Sequence, residues 1–353
     1  MQWDLYCRVV DNHGDIGVAW RLAADLAGRG ESVRLAVDDT SALAWIAPQG
    51  ASGVEIVRWQ DRPSPPPDVV VELFGAGRPP TAWPTGTPTP VLLNLEHLSA
   101  EPYVERSHGL PSPTRRPGEP ASTTWFFYPG FSDATGGLLR EPGLLERRRA
   151  FGRGDEWLDS IGVAARVGER RVSLFSYRND AVGELLDALA AAPTLLVLPP
   201  GAAAEQVAAI LGSSLRRGML RAVRLPFIAQ DDFDHLLWSC QLNFVRGEDS
   251  FVRAFWAGAP FVWHLYVQDD GAHAVKLAAF LDRFLAGAPT TLALALRALF
   301  ARWNGTGGGA LAPPMSDPTL RAAWLAQCAR WRESLVAQDD LVTRLLRFAR
   351  AKR

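Results

Sequence analysis

Two separate runs in which short apolar strands alternate with helical segments constrain this chain more than any other feature. The first fills the opening third: WDLYCRVV from Trp3, the helical VAWRLAADLAGRG from Val18 to Gly30, then SVRLAVDD, VEIVRW, DVVVELFG and PVLLNLEHLS. Short apolar runs of this kind, alternating with helices, predict a parallel sheet covered by helices. In the first helix Val18, Leu22 and Leu26 recur every fourth residue, and Gly28 and Gly30 supply a stop. A charged stretch from Arg140 to Gly162 leads to the second run: RVSLFSY, AVGELLDALAAA, PTLLVLPP, AAEQVAAILG, RAVRLPF, DDFDHLLWSCQ, LNFV, SFVRAFWAG and PFVWHL. From about Gly271 the chain reads mostly helical and ends in DDLVTRLLRFARAKR, with Leu341, Leu345 and Phe348 on one side. The expectation is an α/β protein of two Rossmann-like domains, 1–150 and 151–335, with a C-terminal helical tail, 336–353, joining the first. Two such domains facing each other predict a ligand cleft between them. RPSPPPD (Arg62 to Asp68) and LPSPTRRPGEP (Leu110 to Pro120) have neither periodicity and predict surface loops.

At 353 residues and 48% hydrophobic composition the chain supplies core for both domains. A formal net charge of −1 gives no global field toward nucleic acid or an acidic membrane. All but two of the 37 basic residues are arginine, Lys276 and Lys352 being the exceptions, which reads as compositional bias. Cys7, Cys240 and Cys328 form no CxxC pair and predict reduced thiols. With no signal-peptide-like start and no stretch approaching a membrane span, the expected protein is soluble and cytoplasmic.

RGEDSFVRAFWAGAPFVWH, Arg246 to His264, is the densest chemical signal. LNFV reads as a buried strand, RGED as the turn at its carboxyl end, and SFVRAFWAG as a helix with Ser250 as N-cap. Gly247 lets a ligand approach the backbone, the amides of Glu248, Asp249 and Ser250 can face an anion, and Arg246 would complete a diphosphate cradle. The same residues also fit surface ion pairs beside a capped helix. FSY (Phe175 to Tyr177) follows the second run's first strand and PFIAQDDFD (Pro226 to Asp234) its third, so aromatics there suit either base stacking, with Gln230 reading an amide edge, or core packing. In the first run VVDNHGDIG places Asp11 and Asp15 on either side of Gly14 in a strand-to-helix loop. They fit a pair of cleft-facing carboxylates or a turn residue and a helix N-cap. They make no obvious metal site. His97 and His108 are open between structural and functional roles.

Six segments in order, CRVVDNHGDIGVAWRLA, LEHLSAEPYVERSHGLPSP, WFFYPGFSDATGGLLRE, SLFSYRN, LPFIAQDDFDHLLW and RGEDSFVRAFWAGAPFVWHLYVQ, resemble the bacterial protein-arginine rhamnosyltransferases of translation elongation factor P, the EarP family. The resemblance implies a GT-B fold and inverting transfer of rhamnose from dTDP-β-L-rhamnose to an arginine side chain of elongation factor P, with no cofactor and no metal. By motif position it implies catalytic Asp11 and Asp15, Asp15 as base. It implies donor binding by Phe175, Tyr177, Phe227, Gln230, Arg246, Glu248, Asp249, Ser250 and Tyr266. One departure is His13, where the family commonly carries Phe before the glycine. Two other readings stand beside this one. A GT-B enzyme acting on a glycan or small molecule would differ in its acceptor. A noncatalytic sugar-nucleotide-binding regulator could dispense with the paired aspartates.

Overall fold

A computed structural model describes the chain apart from residues 11–12, 62–63, 80–87, 117–120, 153 and 269–270. The chain parts into two compact units, Met1–Pro142 with Leu335–Arg353, and Gly143–Ser334.

In the first unit, strands β1 (Gln2–Cys7), β2 (Ser32–Val37), β3 (Val54–Arg58), β4 (Val69–Leu73), β5 (Val91–Leu95), β6 (Pro111–Thr114) and β7 (Ser122–Phe127) form one sheet in the order β3-β2-β1-β4-β5-β7-β6. Every neighbouring pair is parallel except β6 with β7. Alternation along β1 sends Trp3, Leu5 and Cys7 into the core with Ile16, Leu22 and Leu26 of the helix Gly14–Gly28. The C-terminal helix Leu341–Lys352 adds Leu341, Val342, Leu345 and Ala349 to that cluster, with Phe348 packed against it. Asp340 fixes its start, accepting the Thr343 N–H at 2.9 Å and meeting Arg29 at 2.7 Å. Asp4 points away from that core and is buried, and it is met at 2.6 Å by Arg34, its register partner on β2. The helix begins four residues before the apolar stripe at Val18, and Ile16 of its first turn is already in the core.

Strand β6 corrects the expectation of a loop across Leu110 to Pro120: residues 111–114 pair antiparallel with β7. Proline has no N–H to give a ladder, and the edge position requires only one side of β6 to pair. Residues 62–63 and 117–120 of the two Pro-rich segments lie outside the described residues.

In the second unit, β8 (Arg170–Leu174), β9 (Thr194–Leu198), β10 (Arg216–Arg217), β11 (Leu220–Arg224), β12 (Leu242–Arg246) and β13 (Phe261–His264) run in the order β10-β11-β9-β8-β12-β13. Only the β10–β11 pair is antiparallel. Its core is aromatic: Phe251 of the helix Asp249–Ala257 stacks on Trp263 of β13 at 3.8 Å between centroids, and Phe255, Phe261, Phe280 and Phe284 surround them. Asp234 and Arg253, both buried, form an ion pair that ties this helix to the helix Gln230–Ser239.

Candidate active site

Each sheet reverses its winding once, between β1 and β4 in the first unit and between β8 and β12 in the second. At such a switch point the loops leaving the two strands diverge, and open α/β sheets bind ligands there.

In the second unit those loops carry Phe175 and Tyr177 after β8 and Gly247 and Glu248 after β12. Arg246, the last residue of β12, places its guanidinium carbon 4.6 Å from the ring centroids of both Phe175 and Tyr177. Tyr177 meets Tyr266 and His264 edge to face, at 5.5 and 5.4 Å. Phe175 rests against Phe233 at 5.5 Å. Gly247 has φ of 59°, a left-handed turn that glycine adopts without penalty. The turn brings the helix in two residues earlier than a Ser250 cap implies, so Glu248 occupies the N-cap position and Ser250 lies inside the first turn. The expected capping role of Ser250 is therefore corrected. Its hydroxyl accepts the Arg246 N–H at 3.0 Å and donates to the Arg246 carbonyl, fastening the strand end to the helix start.

The acids are held aside by side chains. Glu248 pairs with Lys276 at 3.0 Å, and the Gln230 amide donates to Asp249 at 3.4 Å. The Gly247 carbonyl accepts the Trp263 indole N–H at 2.7 Å. Arg246 and the start of the helix Asp249–Ala257 each contribute positive potential here. Phe227 and Tyr266 are 53% and 64% exposed, large rings standing in solvent rather than in core. Thus Arg246, Phe175, Tyr177 and Tyr266 are brought together in one cluster, and Glu248, Asp249 and Gln230 in a neighbouring network.

Two members went unseen in sequence. Lys276 stands out in sequence only as one of two lysines, and that rarity in an arginine-rich chain is the one signal that points to it. His264 is buried, with its Nδ1 making no hydrogen bond; burial, then the positive charge of Arg246, push its pKa down to about 4, so the ring is neutral.

In the first unit Asp11 lies outside the described residues. Asp15 lies in the first turn of the helix Gly14–Gly28, is 9% exposed, and accepts the Val10 N–H at 2.8 Å. His13 occupies the N-cap position, so Asp15 closes the β1 loop and is not the cap. The His13 ring meets Trp45 edge to face at 4.8 Å. His97 is exposed and stacks on Phe74 at 4.6 Å. His108 accepts the Tyr128 N–H through Nδ1 at 3.1 Å and packs on Phe127, and burial takes its pKa down to about 4. Among the described residues no group of three or more His, Cys, Asp or Glu forms a metal cluster, and no helix is long and apolar enough to cross a membrane.

Two doubly wound α/β units with a stacked arginine at one switch point define an enzyme of the GT-B glycosyltransferase class. The glycosyltransferase VinC, solved in complex with dTDP, is similar at TM-score 0.52 and 16% identity over 99% of this chain and 100% of that one, a likeness of fold. Residues 3–350 match the family described as Elongation-Factor P (EF-P) rhamnosyltransferase EarP, and the chain belongs to that family. The protein-arginine rhamnosyltransferase of Pseudomonas aeruginosa is 44% identical over 383 residues, covering 98% of each chain. A structure solved for EarP-mediated arginine glycosylation of translation elongation factor EF-P is similar at TM-score 0.72 and 33% identity, covering 100% of this chain and 99% of that one. The chain is accordingly an enzyme, a glycosyltransferase of the protein-arginine rhamnosyltransferase type.

Proposed function

We propose that this enzyme transfers rhamnose from dTDP-β-L-rhamnose to an arginine side chain of translation elongation factor P, with inversion, in the cytoplasm. The observation that carries the donor half is Arg246 held against Phe175 and Tyr177 beside a helix start, which pairs aromatic surface for a base with positive charge for a diphosphate. The acceptor half leans on the family and on the relative solved for arginine glycosylation of EF-P.

In this reading Phe227, Phe175 and Tyr177 hold the thymine and sugar, Gln230 reads the base edge, and Arg246, Ser250, Tyr266 and the first-turn amides of Asp249–Ala257 take the diphosphate. Glu248 and Asp249 shape the turn and reach the sugar side. Arginine is a poor nucleophile, since its guanidinium holds its proton to a pKa above ~12 with delocalised lone pairs. Asp11 and Asp15 grip it and aim one nitrogen at the anomeric carbon. The new C–N bond forms as the C–O bond to diphosphate breaks, the nitrogen's proton passes to Asp15, and dTDP leaves; one displacement gives inversion. Arg246 and the helix start answer the leaving charge, so turnover needs no metal or cofactor.

The deciding experiment incubates the enzyme with labelled dTDP-rhamnose and elongation factor P and reads intact mass. A gain of one deoxyhexose, mapped to arginine, supports the reading; label on a glycan or small molecule with none on the protein sinks it.

A further inference from the structure

Glu96 is the first residue beyond β5, and backbone bonds fix it from both sides. Its N–H donates to the Phe127 carbonyl at 3.0 Å, and the preceding Leu95 carbonyl accepts the Phe74 N–H at 2.7 Å. It stands on the same carboxyl edge as the β1 loop that Asp15 closes, two strands away, a separation of about 10 Å between strand axes.

The surroundings of Glu96 differ from those of four buried carboxylates of this unit. The buried Asp4, Asp25, Glu31 and Glu72 each meet an arginine or the N-terminal amine, at 2.6, 2.7, 2.6 and 2.7 Å. Glu96 is half-buried, yet among the described residues it has no ion pair. Its side chain accepts one hydrogen bond, from the Asn94 amide at 2.7 Å. Asn94 is itself oriented, because its carbonyl accepts the Gly75 N–H at 3.3 Å, which turns its NH2 toward Glu96. Aromatic rings flank the place: Phe74, in the left-handed region with φ of 57°, stacks on His97, and Tyr128 stands edge-on to Tyr103 at 5.8 Å.

We propose that Glu96, positioned by Asn94, is a second carboxylate of the acceptor site and receives the guanidinium of the incoming arginine across the carboxyl edge from Asp15. A guanidinium offers five donors in a plane and an apolar face, so it suits two carboxylates with aromatic rings beside them. Burial raises the Glu96 pKa, with only His97 opposing, and raises Tyr128 beside it through burial and then Glu96. A carboxylate stripped of water without a cation is stabilised by a cationic ligand. Asp15 remains the proton acceptor, and Glu96 holds charge and orientation.

This inference rests on the proposed arginine acceptor, and its test separates the two. Glu96→Gln and Glu96→Asp would be assayed for acceptor KM, donor Kd and unfolding temperature. The expected result is an acceptor KM raised at least tenfold in Glu96→Gln, a smaller rise in Glu96→Asp, and donor Kd within twofold of wild type. An unchanged acceptor KM, or equal losses toward donor and acceptor, overturns it. N-acetyl-L-arginine amide titrated against wild type and Glu96→Gln reads guanidinium binding without turnover, and equal binding by both proteins also overturns it. Probe binding that depends on Glu96, in an enzyme that leaves elongation factor P unmodified, would sink the proposed reaction and keep this site.

Discussion

The guanidinium carbon of Arg246 and the ring centroid of Tyr177 stand 4.6 Å apart, and Tyr177 is braced in turn by Tyr266 and by the neutral ring of His264. Flat aromatic surfaces on two sides therefore help to order the cation. Only a planar, weakly hydrated cation stacks in this way. Arg246→Lys keeps the charge and loses the stack, and is expected to weaken dTDP binding by about 1–3 kcal/mol, roughly 5- to 150-fold. Calorimetry with dTDP checks it, and wild-type affinity in the variant would make the stack irrelevant to binding.

Lys276 pairs with Glu248 at 3.0 Å at the same turn. Replacing it by Met removes this ion pair beside the proposed diphosphate position. Lys276→Met should weaken donor binding by about 1 kcal/mol, and adding Glu248→Gln should restore part of the loss, a coupling that a double-mutant cycle measures. Additive losses would mean that the two residues act independently.

Phe227 is 53% exposed, so truncating it removes little from the core. Phe227→Ala is expected to leave the unfolding temperature nearly unchanged while costing about 1–3 kcal/mol of donor affinity, the range for a lost base stack. Unaltered donor affinity would take Phe227 out of the base site.

His108 makes a pH prediction. Its folded pKa, down to about 4 through burial and then Arg344, lies below the unfolded value of ~6.5. Above pH ~6.5 neither state binds the proton, and the contribution to stability is full. As pH falls toward 4 the unfolded chain takes the proton and the folded one does not, so up to about 3 kcal/mol is lost. His108→Asn retains an acceptor for the Tyr128 N–H and does not titrate. Urea unfolding of both proteins should show the wild type losing ground to the variant across that window, with other titrations cancelling in the difference. A constant gap from pH 7 to pH 4 refutes it.

What could be read from sequence follows from where the information lies. Buried parallel strands such as VVVEL and TLLVL announce themselves because both faces must be apolar. Strand β6 did not, because two prolines hid a pairing that only its edge position permits. Ser250 has the right chemistry for an N-cap, but after the left-handed φ of Gly247 the helix starts two residues earlier, and backbone conformation is not printed in residue types. Arg246 with Phe175, or Glu248 with Lys276, are joined by strand order and helix placement, not by local spacing. Glu96 sits in PVLLNLEHLS as an ordinary strand tail, and its distinction is a missing partner visible only once its neighbours are in place.

Asp15 separates chemistry from scaffolding most sharply. Its carboxylate accepts the Val10 N–H at 2.8 Å, which by itself is a structural role. An asparagine oxygen accepts the same bond, so Asp15→Asn preserves the loop while removing the charge and the proton acceptor. The N-cap residue is His13, so helix capping is not at stake in the substitution. If Asp15 only closes the loop, the variant should transfer rhamnose nearly as wild type does. If it accepts the guanidinium proton, transfer should fall by about 100-fold or more, the span of general-base catalysis, with donor affinity intact. Single-turnover assays at saturating donor and acceptor, with dTDP-rhamnose binding measured separately, distinguish these outcomes. Near-normal transfer would remove Asp15 as the base, and a matching loss of donor binding would point to disruption beyond the first unit's loop.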